Sequence, residues 1–308
     1  MTKTITLPKI SIGMPVYNGE PFIQEALDSI LAQTFTDFEL IISDNASSDE
    51  TETICRAYAA KDSRIRYVRQ KDNLGPIANF KFVLEESITE YFMWAAADDK
   101  CTPVFLEELY RRMLEDEELL LVMSDVSNIF ADGSFLRSRK LENIRIESVK
   151  CKWPNVRPLF FENPTSNIFF CIYGLFKARK LKQIELNYRN RVKFSTGSEI
   201  PLLAQLAILG KIGSIPGNYK IYRTQSASIY CEEQKSFSFY KHVSNKLNIS
   251  LVLFSILLES KLPLSEKLRL SRSTVFSFSK WAIRYPAGRI ARKLVPALRF
   301  WCSKAHVV

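Results

Sequence analysis

Two adjacent carboxylates, Asp98 and Asp99, follow a short apolar run that begins at Tyr91. Neighbouring acids repel each other, so a site that keeps both ionised needs solvent, hydrogen-bond donors or a cation close by. A hard divalent cation with oxygen ligands meets that need. A solvated loop, in which an Asp or Thr102 caps a helix starting near Pro103, is the structural alternative. The acid pair by itself leaves both interpretations open.

The elements around the acid pair predict an α/β fold. Strands are predicted at residues 9–16, 38–43, 64–69, 91–97 and 119–126. Helices are predicted at about 22–33, at 50–60, from the turn at 72–76 through Asn79 to about 86, and at 103–115. Strands that alternate with helices of this length form a parallel sheet with helices on both faces. Later in the chain we predict a strand at 169–176, a helix at 199–210 and two short strands at 211–216 and 218–223.

Polar clusters follow four of these predicted strands. They are Pro15–Asn18, Asp44–Asn45, Asn73–Asn79 and Asp98–Asp99. Ligands of such sheets bind beyond the carboxyl ends of the strands, so we expect the four clusters at one edge. The sequence contains neither the glycine pattern of dinucleotide-binding folds nor that of the P-loop, which counts against those two classes of enzyme.

Length and composition limit the number of domains, the chemistry of the cysteines and the expected compartment. The chain has 308 residues, enough for one large domain or one domain with an appendage. Its six cysteines lack metal-ligand spacing, which predicts reduced thiols with neither disulfides nor zinc. Because residues 1–8 have no apolar signal-peptide core, we expect a cytoplasmic catalytic part.

The net charge of +10 lies in the last part of the chain. Eleven basic residues and one acidic residue, Glu266, follow residue 260, so the first 260 residues are formally neutral. A nucleic-acid partner is therefore not expected, since the core is neutral and the basic region carries no known nucleic-acid motif.

The basic region also contains apolar helical faces. The run 247–258 is shorter than the about 20 residues that span a bilayer. Beyond it, Trp281 and Trp301 lie on apolar faces interleaved with Lys and Arg. This composition is typical of a helix on an anionic membrane, at the inner face of the cytoplasmic membrane, while a helical hairpin docked on the core remains the alternative. We therefore predict two parts, residues 1–230 and a basic amphipathic helical region at 231–308.

Several of these motifs together resemble the family 2 glycosyltransferases. The matching segments are Ile10–Asn18, Leu40–Asp49, Asn73–Gly75 with Asn79, Ala96–Asp99, Ile172–Lys177, Ser198–Glu199 and Tyr222–Ser228. The resemblance implies the GT-A fold, a Rossmann-like, mostly parallel sheet with helices on both faces. It also implies inverting transfer of a sugar from a nucleotide-diphosphate sugar, with a UDP-sugar as the expected donor. The expected acceptor is a glycan or lipid-linked hydroxyl in cell-surface polysaccharide or glycolipid assembly.

The same resemblance implies a role for each site residue. Glu199 is the expected general base, although a helix-start carboxylate is also explained by the helix dipole. Asp98 is the expected ligand of Mn²⁺ or Mg²⁺, with Asp99, Arg223 and Gln225 near the donor sugar and diphosphate. The nucleotide is expected to contact Pro15, Val16, Tyr17, Asn18, Asp44, Asn73 and Asn79.

Two residues depart from the family pattern. Ala96 stands where the first metal-binding Asp is expected, and Gln225 stands where the family has a His. Both departures put the divalent cation in doubt. They also keep a second hypothesis open, in which the chain is a catalytically degenerate, membrane-associated scaffold with a transferase fold.

Overall fold

The structure, a computed structural model, describes residues 7–141, 167–184, 199–224, 251–268 and 270–271. These residues belong to two compact units. The first contains residues 7–141, 170–184 and 211–224, and the second contains residues 167–169, 199–210, 251–268 and 270–271. The predicted boundary at residue 230 and nearly all of the predicted basic helical faces lie outside the described residues.

The first unit is a mixed α/β sheet with helices packed against it. Its strands are β1 (Ile10–Val16), β2 (Phe38–Asp44), β3 (Ile65–Arg69), β4 (Tyr91–Trp94), β5 (Lys100–Cys101), β6 (Leu119–Ile129), β7 (Phe135–Arg139), β8 (Leu175–Lys177) and β9 (Lys211–Arg223). Its helices are α1 (Ile23–Leu31), α2 (Thr51–Lys61), α3 (Pro76–Glu85), α4 (Phe105–Leu114) and α5 (Ala178–Gln183).

The sheet runs in the order β3-β2-β1-β4-β8-β6-β9-β5, with β7 paired to β6. Strands β1 to β4 are mutually parallel, as are β6 and β9, whereas β8 is antiparallel to both of its neighbours. The predicted alternation of strands and helices around a mostly parallel sheet is therefore confirmed for the first half of the chain.

Apolar spacing explains the helices that cover this sheet. In α1, Ile23, Ala26, Leu27 and Ile30 are buried, which is one face of a 3.6-residue repeat. Helix α4 buries an equivalent face and carries acidic residues in its first turn and basic residues in its last, as the helix dipole favours. Burial of these faces against the strands is the main driving force for this packing.

Glycine is required at two positions near the predicted site. Gly75 has φ +79° and precedes Pro76, the first residue of α3, so the chain turns sharply into the helix. A side chain at Gly13 would come within 2.7 Å of Val83 and 2.8 Å of Phe92. The absence of a side chain therefore lets α3 pack directly on β1, and this contact places the start of α3 next to the strand ends.

Two local predictions differ from the structure, and one short strand was not predicted. Residues 169–176 are not one strand, because a 3₁₀ helix at Asn167–Tyr173 precedes the short β8. Gly174 lies between them, where an added Cβ would be 2.4 Å from the Val122 carbonyl oxygen, so the chain turns at a close backbone approach. Strand β9 is one continuous strand rather than two, and the short β5 was not predicted.

The second unit is helical where it is described. It contains α6 (Glu199–Leu209) and helical residues 251–259 and 264–268. Of the helices in the described part of the chain, none is both long and apolar enough to cross a membrane.

Candidate functional site

The parallel strands β1, β2 and β4 bring three loops to one edge of the sheet. The register pairs Val16 with Asp44 at the ends of β1 and β2, and Gly13 with Trp94 at the end of β4. The loops after β1 and β4 also approach each other, since a Cβ at Gly19 would lie 3.6 Å from that of Ala97. The predicted edge therefore exists, and the two acids Asp98 and Asp99 follow β4 there.

Asp44 is completely buried and accepts hydrogen bonds on both carboxylate oxygens. Its Oδ1 accepts from the Ser47 backbone N–H at 2.8 Å, which closes an Asx turn. Its Oδ2 accepts from the Tyr67 hydroxyl and from Arg69, both at 2.7 Å. Burial and then the bond to Asp44 raise the pKa of Tyr67, so the hydroxyl stays protonated and donating.

Asn73 joins two of the predicted loops. Its Oδ1 accepts from Asn45 Nδ2 at 2.8 Å and from the Gly75 backbone N–H at 2.9 Å. In return, Asn45 Oδ1 accepts from the Leu74 backbone N–H at 2.8 Å. The two amides therefore fix the loop after β3 against the loop after β2.

Asn79 is a buried bridge from α3 to the ends of β1 and β2. Its Nδ2 donates to the Ser43 carbonyl at 2.9 Å and more weakly to the Val16 carbonyl at 3.4 Å. Its Oδ1 accepts from the Ser43 hydroxyl at 2.5 Å. These bonds engage both ends of the amide, so the structure assigns Asn79 to the support of the strand ends.

The loop after β1 presents a different surface. Pro15 and Val16 lie in the strand, whereas Tyr17 is 52% exposed at its end. Asn18 has φ +52° and accepts from the Ser48 backbone N–H at 2.9 Å. This left-handed turn, which Asn tolerates, directs the chain across the end of β2 and leaves the Tyr17 ring accessible.

Asp98 is the exposed member of the acid pair. Desolvation by the surrounding protein, and then the charge of Asp99, raise the pKa of the Asp98 carboxyl to about 6. The positive charges of Lys220 and Arg223 oppose this shift. No described side chain hydrogen-bonds to this carboxylate, so it remains open to a ligand at the sheet edge.

Asp99 is buried and held from β9. Its Oδ1 accepts from the Arg223 backbone N–H at 2.9 Å, and its Oδ2 lies 3.1 Å from Lys220 Nζ. The Lys220 contact is an ion pair whose angles fall outside hydrogen-bond geometry, which leaves Oδ2 without a hydrogen-bond donor within the described ranges. Asp99 thus ties the end of β9 to the loop after β4.

The Arg223 side chain is buried and binds protein oxygens at three of its nitrogens. Nε donates to the Asp98 carbonyl at 3.0 Å, and the two terminal nitrogens donate to the Ala131 carbonyl at 2.8 Å and to Glu25 at 3.0 Å. The guanidinium also lies 4.3 Å above the centre of the Phe22 ring. In this arrangement Arg223 positions the backbone that carries the acid pair.

Few oxygen donors are left for a divalent cation. Ala96 supplies none, and Asp99 is engaged by β9, which leaves the Asp98 carboxylate among the described residues of this loop. No group of three His, Cys, Asp or Glu residues suited to a metal ion occurs in the portion of the chain that the structure describes. The residues present fit a cation that is bound through Asp98, water and phosphate oxygens together, as Mg²⁺ often is.

The remaining two predicted site residues are less fully described. The backbone of Glu199 begins α6, as expected of a residue at a helix start, but its side chain lies outside the described part of the structure. Gln225 also lies outside the described residues.

Several residues at this edge were not predicted. Tyr67 and Arg69 had no assigned role, although both lie in a strand that pairs with β2 in parallel register. Lys220 and Glu25 gave no signal, because their contacts join segments that are far apart in the sequence. Asn45 was placed at the edge by its position after β2, but its bond to Asn73 was not foreseen.

The family model for "Glycosyl transferase family 2" matches residues 11–184, more than half of the chain. The chain belongs to glycosyltransferase family 2. Uncharacterized glycosyltransferase EpsJ of Bacillus subtilis is 44% identical over 198 residues, covering 64% of this chain and 56% of that protein. Glycosyltransferase GlyG of Streptococcus pneumoniae is 25% identical over 221 residues, covering 71% and 72% respectively.

The match to an archaeal relative is shorter. Uncharacterized glycosyltransferase MJ1057 of Methanocaldococcus jannaschii is 30% identical over 145 residues, which cover 46% of this chain and 50% of that protein. The chain thus spans about half of the length of this relative.

Solved structures of glycosyltransferases share the fold. Staphylococcus aureus TarS residues 1–349, in complex with UDP-GlcNAc, aligns with a TM-score of 0.63 at 17% identity, covering 91% of this chain and 76% of TarS 1–349. Mannosyltransferase PcManGT of Pyrobaculum calidifontis, in complex with GDP-Man and Mn²⁺, aligns with a TM-score of 0.50 at 14% identity, covering 97% and 84%. These likenesses confirm the predicted GT-A fold.

Proposed function

We propose that this protein transfers a sugar from a nucleotide-diphosphate sugar to a hydroxyl group of a glycan or lipid-linked acceptor, with inversion at the anomeric carbon. The observation that carries the proposal is Asp98, an exposed carboxylate with a raised pKa at the edge where the parallel strands end. Family membership supports the class of reaction. The UDP-GlcNAc bound by TarS supports a UDP-sugar as the first donor to test.

The nucleotide is proposed to lie along the ends of β1, β2 and β3. Tyr17 offers an exposed ring for the base, while the network of Asp44, Asn73 and Asn79 holds the loops that surround it. The buried Asp44 carboxylate, the buried Asn79 amide and the exposed Asn73 amide limit loop motion, so less conformational entropy is lost when a ligand binds. In this proposal Asp44 fixes the shape of the site for the base, and the remaining lone pairs of its carboxylate can accept a hydrogen bond from the base.

The reaction breaks the bond between the anomeric carbon and the diphosphate, and forms a bond to the acceptor oxygen. A base must remove the acceptor proton, and we propose Glu199 for that role on the basis of the family motif. Asp98 and Asp99 are proposed to border the donor sugar. The departing diphosphate requires positive charge, which Lys220 and Arg223 contribute at this edge.

A divalent cation is proposed to enter with the donor rather than to reside in the free protein. Asp98 would be its protein ligand, and the ion would help to neutralise the diphosphate. Arg223 is proposed to act by positioning this loop, and a direct contact with the diphosphate would use its remaining N–H groups. Gln225 follows β9 closely in the chain, and a role for it near the diphosphate remains part of the proposal.

The acceptor setting is proposed from composition. Eleven basic residues after residue 260 would favour an anionic membrane at the inner face of the cytoplasmic membrane, where a lipid-linked acceptor is available. Truncation after residue 260 is expected to release the protein from anionic vesicles at low salt. Equal binding of the truncated and full-length proteins would contradict this part of the proposal.

The experiment that tests the function is a thermal-shift screen of nucleotide sugars with and without Mn²⁺, followed by a nucleotide-release assay with each hit. We expect a UDP-sugar to raise the melting temperature and to release UDP when a suitable acceptor is present. Asp98→Asn should abolish most of the release. Asp37→Asn is the matched control, because Asp37 is an exposed aspartate that precedes β2 at the opposite edge of the sheet.

The base is tested separately. Glu199→Gln is expected to reduce transfer by about 10³-fold while nucleotide affinity changes little, because a base acts on the acceptor and not on the nucleotide. Near-normal turnover by this variant would remove Glu199 from the mechanism. A protein that binds no nucleotide sugar and tolerates change at both Asp44 and Asp98 would instead support the degenerate scaffold.

A further inference from the structure

A buried ammonium group lies beside the acid pair. Lys220 is 7% exposed, and its Nζ is 3.1 Å from Asp99 Oδ2 and 5.0 Å from the centre of the Tyr173 ring. Lysine is seldom buried to this extent without an opposing charge. The carboxylate and the aromatic face together provide the compensation that burial demands.

The backbone of Lys220 is fixed on both sides. In the sheet, Lys220 is paired with Cys101 of β5 and with Val126 of β6. The Thr102 backbone N–H also donates to the Tyr219 carbonyl at 2.9 Å. The ammonium is therefore delivered to the acid pair by a strand held between two neighbours, and not by a loop.

Among the residues that the structure describes, the charges around the acid pair balance without a bound ion. In this part of the chain, three carboxylates and three cations are connected by ion pairs, hydrogen bonds to the acid-pair backbone, or direct adjacency in the sequence: Asp98, Asp99, Glu25, Lys100, Lys220 and Arg223. Glu25 is shared by Lys100 at 2.8 Å and Arg223 at 3.0 Å. Each carboxylate except that of Asp98 thus has a positive side chain within 3.1 Å.

We propose that Lys220 is a built-in cation of this site, which takes the place of a divalent ion shared by Asp98 and Asp99. A shared ion would need an Asp99 oxygen that the ammonium now neutralises, and it would lie next to a fixed positive charge. The free protein consequently holds no divalent ion at the acid pair. The part of this inference that concerns the donor rests on the proposed function.

The test titrates Mn²⁺ into the full-length protein without nucleotide and follows the free-ion signal by electron paramagnetic resonance. The wild-type protein is expected to bind Mn²⁺ no more tightly than the Asp98→Asn variant does. Lys220→Met keeps the length of the side chain and removes the charge, and it should bind Mn²⁺ at least tenfold more tightly than the wild type. Lys220→Arg retains a cation and should behave as the wild type does.

A double variant controls for loss of folding in Lys220→Met. Lys220→Met leaves Asp99 buried without its cation, whereas the double variant Lys220→Met/Asp99→Asn replaces both charges and should recover the wild-type melting temperature more closely. The double variant should also lose the gain in Mn²⁺ affinity. Tight Mn²⁺ binding by the wild type that disappears in Asp98→Asn would overturn the proposal, as would equal Mn²⁺ affinities of folded Lys220→Met and wild type.

A nucleotide arm separates this inference from the proposed function. UDP is titrated into each protein in EDTA and again in Mn²⁺. Between EDTA and Mn²⁺, the UDP affinity of the wild type should change by less than that of Lys220→Met, because the variant has lost its own cation. If the UDP affinities of the two proteins depend equally on Mn²⁺, Lys220 has no role toward the donor. If neither protein binds any nucleotide, the proposed function is wrong, and the Mn²⁺ titration alone then tests whether Lys220 acts as a built-in cation.

Discussion

Asp44 and Asp98 lie at the same edge of one sheet and have opposite surroundings. Asp44 ends β2, is completely buried and accepts from Ser47, Tyr67 and Arg69. Asp98 follows β4, is exposed and receives no hydrogen bond from the side chains that the structure describes. A strand-end aspartate can therefore either build the edge or remain open at it, and the difference lies in the partners that neighbouring strands supply.

The two surroundings also differ in how charge is compensated. Around Asp44 the partners include a neutral hydroxyl, a backbone N–H and the guanidinium of the exposed Arg69. Around the acid pair, β9 brings one buried cation, Lys220, and the Arg223 backbone N–H to Asp99, and it leaves the Asp98 carboxylate uncovered. The first region is consequently expected to govern stability and the second to govern reactivity.

The largest effect on stability should come from Asp44→Asn. The substitution removes the charge that pairs with Arg69 and turns an N–H group toward donors, so we expect a loss of about 3 kcal/mol in the free energy of unfolding. Chemical denaturation measures this loss. Asp37→Asn, at the opposite edge, should change stability by less than about 0.5 kcal/mol. A loss below about 1 kcal/mol for Asp44→Asn would show that the buried network is not a structural unit.

The next effect should come from Asn79→Ala. This change removes the bridge from α3 to β1 and β2. The Ser43 hydroxyl loses its acceptor and the Ser43 carbonyl loses the Asn79 donor, although Gln70 still donates to the hydroxyl at 3.0 Å. We expect a loss of about 2 kcal/mol by the same measurement. If stability is unaffected while nucleotide affinity collapses, Asn79 contacts the ligand directly, and the division between the two regions needs to be redrawn.

Arg223→Lys tests how the acid pair is positioned. A lysine keeps the charge but cannot reproduce the fork that binds the Asp98 carbonyl, the Ala131 carbonyl and Glu25. We expect transfer to fall by about tenfold, with a smaller change in nucleotide affinity, because the loop loses its fixed geometry. Initial rates and UDP isotherms separate the two quantities. Unchanged kcat would show that the guanidinium is not needed for positioning.

A smaller, pH-dependent effect should follow from Asp98. Because its folded-state pKa is raised to about 6, the native protein holds this proton more tightly than the unfolded chain does. Its contribution to the free energy of unfolding therefore decreases as pH rises from about 4 to about 6 and is constant above that range. Asp98→Asn removes this dependence, which denaturation at several pH values measures.

The same pKa sets an expectation for catalysis. If transfer needs the ionised carboxylate, kcat/KM should fall as pH decreases below about 6, the pKa of Asp98. Lys220→Met should move this fall to higher pH, because it removes a positive charge that opposes the shift. A fall centred near pH 4, the value of an ordinary Asp, would contradict a raised pKa for the carboxylate that controls transfer.

Much of the scaffold could be predicted from local sequence. Buried runs alternating with helices gave the four parallel strands, and the rule that ligands bind beyond strand ends gave the edge. The chemical partners could not be predicted, because they come from separate segments. Nothing local to Lys220 indicates that it meets Asp99, since β9 reaches the acid pair through its pairing with β5 and β6.

Residue type alone did not determine the role of the polar side chains at the strand ends. Asn73, Asn79 and Asp44 were predicted to contact a nucleotide, and in the structure their polar atoms hold loops and strand ends together. A polar side chain at a strand end has both uses, and only the positions of its neighbours distinguish them. Tyr17 has an exposed ring, as a residue that contacts a ligand requires, but its contact with a base remains a prediction.

The division between the two aspartates is tested most directly by measuring UDP release and the free energy of unfolding on the same preparations of wild type and Asp98→Asn. We predict that the variant releases UDP from its donor sugar at least about 100-fold more slowly, while its stability at pH 7 equals or slightly exceeds that of the wild type. Release within about threefold of the wild-type rate, or a clear loss of stability, would contradict the assignment of Asp98 as the open, reactive carboxylate of this edge.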